Sequence, residues 1–449
     1  GRNMMLCVNT TTRREFLAGT ASPLLAAGDT RPNIVFILSD DHHYQCVGAA
    51  GNPNIRTPNL DRLASRGVFF TNGQISTPQC CPSRGILLSG LETYQSGLIS
   101  NGQTSFRPGH PPTVPEKLRA SGYDTLLIGK WHIRNQPREC GFSRAPLWLR
   151  GGSSRYQDPQ LAHGLDSKPE QTPGHITDLF TDAAVDVVRN AKQPFFLWLA
   201  YNAPHTPWYA APRYRELYEG RSPETLAPPA HPKSAKPFDW VTYYSVISHL
   251  DEGIGRVIGE IDARRLWDNT YVFFLGDNGF MCGTKDWNGK VVPWEESIRV
   301  PYLAAGGKVR RGVRSGAAVT SIDLPATWLD LAGVTASYKL AGRSIAPVLK
   351  AGRRDPEAGF SVWADGRPEA LAVGTAVEPY RLVRTGTHKL IVWESGRQAL
   401  YDLRQDPGEN RDLSAERASA ETLSRLRGLL AARMKETDDP AAGWLVRRS

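Results

Sequence analysis

Cysteine is scarce in this sequence, which has 6 cysteines among 449 residues. Their spacing includes no C-x-x-C pair, which argues against a structural zinc site, and it does not resemble a disulfide framework. Two of them, Cys80 and Cys81, are adjacent. Neighbouring cysteines rarely bridge each other, so we expect at least one of the two to be kept for chemistry.

The sequence also lacks any apolar run near the roughly 20 residues that span a bilayer, so we expect no stable membrane insertion. It has no long basic run either, although its net charge is +9. A dispersed positive charge suits an anionic substrate and does not indicate nucleic acid, which we do not expect as a partner. With 40% hydrophobic and 9% aromatic residues, the composition excludes a disordered chain and indicates a globular protein.

The N-terminus has the pattern of a targeting segment. Arg13 and Arg14 precede a short, weakly apolar stretch of small residues. A twin arginine in this setting is typical of a bacterial twin-arginine export signal; the alternative is an ordinary basic, amphipathic terminus. We therefore expect residues 1–30 to be a signal segment, the mature chain to begin near Asp29, and the protein to be periplasmic or secreted.

Short apolar runs alternate with segments of helical spacing along the rest of the chain. The runs are typical of strands buried on both faces, and they cover residues 33–38, 124–129, 194–199 and 270–275. Helical patterns between them cover residues 59–66, 114–120, 176–189 and 243–261. Alternating strands and helices predict an α/β fold with a large, mostly parallel sheet sandwiched between helices.

A change in composition divides the chain into two domains. Residues 349–359 read as a linker. Two strand-like runs and one helical pattern follow it, at residues 380–383, 389–393 and 416–435. We therefore expect a catalytic domain at residues 31–352 and a small C-terminal α+β domain at residues 353–449.

Acidic and amide side chains follow two of the predicted strands. Asp40 and Asp41 come after the first strand, and Asp277 and Asn278 come after the fourth. Ligands bind at the carboxyl ends of parallel strands, and hard oxygen ligands suit calcium or magnesium. We expect one such cation per chain, because these acids have no evident basic counterpart large enough to neutralise them. For either pair alone, a turn or a helix cap would be the simpler interpretation.

The segment around Cys80 is a second candidate site. Pro82 is predicted to be the first residue of a helix, a position that proline favours. Cys80 then lies at or before the helix N-terminus, where the helix dipole favours an anion and a lowered thiol pKa. Arg84, two residues into the helix, is placed to reach the same anion.

This segment resembles the signature of the type I sulfatases, in the pattern Cys80-x-Pro82-Ser83-Arg84 followed by Leu88-Ser89-Gly90. Only Cys80 fits the first position of the signature, and Cys81 occupies a variable position. Further blocks resemble the same family in order along the chain, at residues 57–64, 129–132, 204–205, 276–279, 296–301, 323–327 and 401–403. The resemblance implies the fold of the alkaline phosphatase-like superfamily, to which these sulfatases belong.

The resemblance also implies a nucleophile and a cation site. In the family, the first cysteine of the signature is oxidised by a maturation enzyme to formylglycine, whose hydrated aldehyde is the nucleophile. By this resemblance the modified residue is Cys80. The implied ligands of a calcium or magnesium ion are Asp40, Asp41, Cys80, Asp277 and Asn278.

The remaining matches imply catalytic roles for five side chains. Arg84 would stabilise the hydrated aldehyde, and Lys130 would bind near it. His132 would be the base that collapses the sulfated intermediate. His205 would contact the sulfate and protonate the leaving alcohol, and Lys290 would hold another sulfate oxygen.

Several other residues leave alternatives open. Lys285 competes with Lys290 for the family match. His42 and His43 follow the metal aspartates and fit either a substrate pocket or a polar loop. Four further histidines are expected to be incidental surface residues, at His110, His163, His231 and His388. Three tryptophans are compatible with a sulfated sugar, at Trp148, Trp208 and Trp287.

Three functions remain in competition at this stage. The first is hydrolysis of a sulfated carbohydrate or aryl ester, and the second is hydrolysis of a phosphonate monoester or phosphodiester. The third is a pseudoenzyme that binds sulfated glycans, which has no need of a nucleophile, an acid and a base together. Specificity is expected in the long irregular segments 135–173 and 220–236 and in the C-terminal domain.

Overall fold

The computed structural model of the protein describes residue 1 and residues 31–446, apart from 191, 193, 233–235, 352–356 and 368–376. The proposed export signal, with Arg13 and Arg14, and the proposed mature start near Asp29 lie outside the described residues. Within the described part of the chain, no helix is both long enough and apolar enough to cross a membrane.

The described residues form strands and helices in the following order. The strands are β1 (Asn33–Ser39), β2 (Gly67–Phe70), β3 (Asp124–Lys130), β4 (Arg144–Leu149), β5 (Gln160–Leu161), β6 (Glu170–Gln171), β7 (Phe195–Ala200), β8 (Thr270–Gly276), β9 (Met281–Cys282), β10 (Asn288–Gly289), β11 (Tyr302–Gly306), β12 (Val313–Ser315), β13 (Ala358–Trp363), β14 (Tyr380–Thr385), β15 (His388–Trp393) and β16 (Gln398–Asp402). The helices are α1 (Pro58–Ser65), α2 (Cys80–Ser89), α3 (Thr93–Ser96), α4 (Val114–Ala120), α5 (Ile176–Asn190), α6 (Pro212–Arg215), α7 (Pro223–Leu226), α8 (Trp240–Ala263), α9 (Glu295–Ile298), α10 (Asp323–Ala332), α11 (Ala346–Ala351) and α12 (Ala420–Glu436).

The large sheet has eight strands in the order β12-β2-β11-β8-β1-β7-β3-β4. Its neighbouring strands are parallel except around β11, which runs antiparallel to both β2 and β8. The four strands expected from the apolar runs are β1, β3, β7 and β8, and they lie side by side at the centre of this sheet. The expectation of a large, mostly parallel sheet between helices is confirmed.

The central strands are buried on both faces, as their uninterrupted apolar sequences predict. Phe36 of β1 packs into the core on one face, with α2, α4 and α10. Val35, its neighbour in β1, packs into the core on the other face, with α1, α5 and α8. Successive side chains of a strand point to opposite faces, so one strand serves both cores. The carboxyl ends of the four central strands therefore sit on a rigid, two-sided support.

Two local expectations differ from the structure. Strand β4 forms within residues 135–173, which the sequence marks as irregular. Pro146 argues against a strand in the sequence, because proline cannot donate a hydrogen bond to a neighbouring strand. It is tolerated here because β4 is an edge strand of the large sheet. Helix α2 begins at Cys80, two residues before Pro82. The backbone N–H groups of a first helical turn have no partner within the helix, so proline is accepted there without loss.

The C-terminal residues form a second sheet, with four antiparallel strands in the order β13-β14-β15-β16 and α12 packed against it. This sheet is tied to α9 by a buried ion cluster. Arg384 donates three hydrogen bonds of 2.9 to 3.0 Å to Glu295, and Lys389 Nζ lies 3.3 Å from the same carboxylate. Removing one partner of such a buried pair typically costs about 3–5 kcal/mol. Both sheets lie within one compact unit, and the boundary between residues 352 and 353 stays a prediction.

Candidate active site

Two strand ends bring together the acids that the sequence singles out. Asp40 and Asp41 follow β1, and Asp277 and Asn278 follow β8. The parallel register holds them side by side, because the backbone N–H of Asp277 donates to the carbonyl of Ser39 at 2.8 Å. Asp41 adopts a left-handed backbone conformation with a φ of 59°, and its carboxylate accepts a hydrogen bond of 2.6 Å from the Asn278 amide. The carboxylates of Asp40, Asp41 and Asp277 are all buried.

Helix α2 places Cys80 against these acids. Cys80 is the first residue of the helix, and its Sγ lies 3.5 Å from Oδ1 of Asp40. The same sulfur is 2.7 Å from Nζ of Lys290. Burial, together with the negative charge of Asp40, raises the pKa of the Cys80 thiol to about 12. The expectation of a lowered thiol pKa is therefore wrong, because desolvation outweighs the helix dipole at a fully buried position.

Three basic side chains reach into the acidic cluster, contrary to the expectation that the acids lack a basic counterpart. Arg84 donates two hydrogen bonds to Oδ2 of Asp277, at 2.7 and 3.1 Å. Lys130 Nζ contacts Oδ2 of Asp40. Lys290 Nζ contacts Oδ1 of Asp41. Sequence separation hid these pairs, since only the strand ends and α2 bring them together.

Burial and the neighbouring charges shift the pKa values of Asp40 and Asp277 in opposite directions. Burial opposes ionisation of Asp40, but Lys130 and the other cations around it hold the pKa of that carboxyl well below its usual range. Burial, and the charge of Asp40, raise the pKa of Asp277 to about 6. Desolvation and like-charge repulsion thus favour the protonated form of Asp277, while ion pairing favours the charged form of Asp40.

Two histidines flank the cluster. Nε2 of His205 lies 3.7 Å from Oδ2 of Asp41, and Nδ1 of His205 contacts the carbonyl of Thr206. Because a carbonyl accepts, that Nδ1 carries the hydrogen and Nε2 faces the acids. Burial lowers the pKa of His205, and it lowers the pKa of His132 well below the ordinary value, with Lys130 adding to the effect on both. A lowered pKa favours the neutral form of both rings.

A cavity of about 530 Å³ opens beside His205 and Lys290. Its walls include two of the tryptophans singled out in the sequence, Trp208 and Trp287, whereas Trp148 is buried in the core. The sequence gives no signal for its other polar and aromatic walls, which include Asn101, Phe238, Asp239 and Phe280. The one clue to the cavity in the sequence is proximity along the chain. Trp208 lies three residues after His205, and Trp287 lies three residues before Lys290.

The alternatives at other residues resolve differently. Lys285 donates to the carbonyl of Glu409 at 2.8 Å and lies away from the acids, so the geometry favours Lys290. His42 is buried and bonds to Ser39 and Cys46, which places it in the structural loop. His231 is not the incidental surface residue expected. Its side chain is 6% exposed and lies 3.5 Å from Oε1 of Glu296, which also approaches His43 at 3.6 Å.

The donor set fits a hard divalent cation. Among the described residues, the buried Oδ1 atoms of Asp277 and Asn278 have no hydrogen-bond partner. Asp40, Asp41, Cys80 and His205 each offer one ligand atom, and these four atoms lie within 4.8 Å of one another. Carboxylate and amide oxygens are the ligands that calcium and magnesium prefer.

A family model described as Sulfatase matches residues 32–334, which include every one of these side chains. The chain belongs to the sulfatase family. A second model, described as N-sulphoglucosamine sulphohydrolase, C-terminal, matches residues 283–436 of the sulfatase. The protein is thus a sulfuric ester hydrolase, and its resemblance to the alkaline phosphatase-like sulfatases is confirmed.

Relatives of this sulfatase cover nearly its whole length. An ulvan-active sulfatase from Formosa agariphila is 30% identical over 415 residues, which is 86% of this chain and 77% of the relative. An N-acetylglucosamine-6-O-sulfatase from Bacteroides thetaiotaomicron is 26% identical, over 91% of this chain and 87% of the relative. A protein solved in complex with its substrate D-glucosamine-2-N,6-O-disulfate superposes with a TM-score of 0.80 at 25% identity, over 91% of this chain and 99% of that one.

The same fold also occurs in an enzyme of another activity. A phosphonate monoester hydrolase of Agrobacterium radiobacter superposes with a TM-score of 0.72 at 21% identity, over 91% of this chain and 96% of that one. At this identity the likeness shows the fold alone. The fold therefore does not by itself separate sulfate from phosphonate chemistry.

The donor set predicts that chelator-stripped sulfatase binds one calcium or magnesium ion per chain, measured by isothermal titration calorimetry. Calcium at 100 times its dissociation constant should raise the free energy of unfolding by about 2.7 kcal/mol. Asp277→Asn should abolish this binding, because it removes one carboxylate ligand.

Asp178→Asn is the matched control, since Asp178 belongs to a second cluster of His and Asp, with His175 and His249. The rings of those two histidines are stacked with centroids 4.1 Å apart, so their in-plane lone pairs do not converge on one ion. This variant should bind calcium as the unmodified sequence does. Unchanged calcium binding by Asp277→Asn would contradict the assigned cation site.

Proposed function

We propose that the sulfatase hydrolyses a sulfate ester of a carbohydrate, with a divalent cation and a formylglycine derived from Cys80. The observation that carries this proposal is the position of the Cys80 side chain, which lies between Asp40 and Lys290 at the first residue of α2. A nucleophile at this point faces both the oxygen donors for a cation and the cations for a sulfate. Hydrated formylglycine would supply an oxygen nucleophile that a thiol does not, and the cation would stabilise its charge.

The register of the two cysteines supports Cys80 as the modified residue. The side chain of Cys81 belongs to the buried apolar core, and its backbone N–H donates to Oδ1 of Asn101 at 3.1 Å. Cys81 thus points away from the acids that surround Cys80. An enzyme that oxidises Cys80 is required as a maturation partner under this proposal.

Basic side chains would bind the sulfate group of the substrate. Lys290 contacts Asp41 and Lys130 contacts the adjacent Asp40, so both ammonium groups are close enough to the nucleophile position to bind an anion there. Arg84 donates to the backbone carbonyl of Lys130 at 2.6 Å as well as to Asp277. Arg84 therefore links the end of β3, at Lys130, to the residues that follow β8, at Asp277.

The two histidines fit opposite proton-transfer roles. Nε2 of His205 faces Asp41 and the cavity, so a proton on this atom can be donated to the leaving alcohol. An incoming sulfate raises the pKa of the ring, since it offsets the repulsion from Lys130. His132 is held neutral by burial and by nearby cations, as a general base must be.

The cavity supports a sugar as the leaving group. Trp208 and Trp287 form part of its walls, and each indole N–H is fixed by a backbone carbonyl, that of Pro204 at 2.6 Å and that of Lys290 at 3.2 Å. Rigid aromatic walls with a few polar groups are typical of small-molecule sites. Relatives named for ulvan and for N-acetylglucosamine 6-O-sulfate support a carbohydrate over a simple aryl ester.

Two alternatives are less well supported. A phosphonate monoester or phosphodiester hydrolase has the support of a shared fold alone. A glycan-binding pseudoenzyme has no use for the nucleophile position, acid and base that converge here. Export by the twin-arginine signal at residues 1–30 remains our proposal for localisation.

The nucleophile is tested by changing the two adjacent cysteines separately, in protein made with a maturation enzyme. Cys80→Ala should lower kcat on an aryl sulfate by on the order of 10³-fold or more, as expected for loss of a nucleophile. Cys81→Ala should keep most of the activity and cost only about 1 kcal/mol of stability.

Mass spectrometry of the peptide that contains both cysteines should show the aldehyde at Cys80. Full activity from a preparation shown to contain only the Cys80 thiol would contradict the proposal.

The sugar-binding wall is tested with Trp208→Ala and Trp287→Ala on a sulfated monosaccharide. Both should raise KM with a smaller effect on kcat, because each removes ground-state contacts to the leaving group. Tyr209→Ala is the control, since this aromatic side chain is 47% exposed and is not part of the cavity wall. An unchanged KM in both tryptophan variants would show that the sugar binds elsewhere.

A further inference from the structure

The chain after β4 runs beside the residues that follow β3. The backbone N–H of Trp131 donates to the carbonyl of Leu149 at 2.9 Å, and that of His132 donates to the carbonyl of Arg150 at 3.3 Å. This pairing extends the parallel register of β3 and β4 past the ends of both strands. The next residue pair on the β4 side is Gly151 and Gly152, which therefore pass His132.

Gly152 leaves room for the imidazole of His132 because it has no side chain. A Cβ atom on Gly152 would lie 2.4 Å from both Cε1 and Nε2 of His132 and 2.9 Å from Cδ2. Real Cβ atoms do not approach other atoms this closely, so a side chain here requires either the ring or the backbone of Gly152 to shift. The φ of Gly152 lies outside the left-handed region, so backbone conformation does not require glycine at this position.

Packing, rather than hydrogen bonding, holds this ring. Within the described residues, the buried Nδ1 of His132 has no hydrogen-bond partner. His132 also has a positive φ of 64°, which sets the direction in which its side chain leaves the backbone. No hydrogen bond at Nδ1 opposes a turn of the ring when a neighbour pushes against Nε2. We therefore expect Gly152→Ala to change the position of the ring and to have a much smaller effect on the stability of the fold.

We infer that Gly152 is a positioning residue for His132, and that its missing side chain keeps the imidazole of His132 where it acts as a base. This inference rests on the proposed role of His132. It assigns a catalytic consequence to the irregular segment 135–173, in which no residue had a role. Gly152 itself does not touch the reacting atoms.

The test compares Gly152→Ala with Gly151→Ala in the calcium-loaded, matured enzyme. The control is matched in chemistry and place, because a Cβ on Gly151 would meet nothing nearer than the carbonyl of Ser153 at 3.9 Å. Gly152→Ala should lower kcat by about 100-fold, the scale of a 1 Å misplacement, and leave KM within about twofold. Gly151→Ala should match the unmodified sequence in kcat, and the two variants should have similar Tm values.

A second readout does not depend on turnover. In protein that still carries the Cys80 thiol, the NMR signals of the carbon-bound ring hydrogens of His132 should shift in Gly152→Ala and stay in place in Gly151→Ala. The signals are assigned by their absence in His132→Ala. Unmoved ring signals, or a lower Tm without a lower kcat in Gly152→Ala, would overturn the inference.

The double variant separates this inference from the proposed function. If Gly152 acts through His132, adding Gly152→Ala to His132→Ala should cause no further loss in single-turnover rate. An independent, additive loss would overturn the inference. Full activity of His132→Ala would remove the proposed base and the inference with it. An inactive His132→Ala beside a fully active Gly152→Ala would overturn the inference alone.

Discussion

The site depends on one electrostatic constraint, the grouping of three carboxylates and three basic side chains at the same edge of the sheet, all of them buried except the partly exposed Lys290. The acids are Asp40, Asp41 and Asp277, and the bases are Arg84, Lys130 and Lys290. Each charge is stable in the interior only while its partner is present, because an uncompensated buried charge costs several kcal/mol. A divalent cation and a sulfate ester carry opposite charges, so the balanced cluster would accept both together more readily than either alone. The two-sided core of the central strands holds the cluster in register.

The parts of the fold and site that the sequence predicted are those with a local signal. The central strands are continuous apolar runs because both of their faces are buried, and polar residues at their carboxyl ends meet because the strands are parallel. Asp40 and Asp277 were found in this way. His205 and Lys290 needed the family motifs, since one histidine or one lysine among several has no distinguishing pattern of its own, and the family motif was also needed to choose Cys80 over the adjacent cysteine.

The parts that could not be predicted depend on contacts between distant residues. Lys130 and Asp40 are 90 residues apart in the chain, and no periodicity shows that they pair. The raised pKa of Cys80 follows from complete burial, which outweighs the helix N-terminus that the sequence does reveal. Strand β4 was hidden by Pro146, and with it the approach of Gly152 to His132.

The central claim is that this charge cluster serves the transfer of a sulfuryl group. The most direct measurement compares kcat/KM for the sulfate ester and the phosphonate monoester of one phenol, with calcium-loaded enzyme shown to contain formylglycine. Both esters carry one negative charge, so the ratio reports the preference for the transferred group rather than for charge. We expect the sulfate ester to be favoured by at least about tenfold, a difference of about 1.4 kcal/mol in transition-state stabilisation. A higher kcat/KM for the phosphonate ester would contradict the claim.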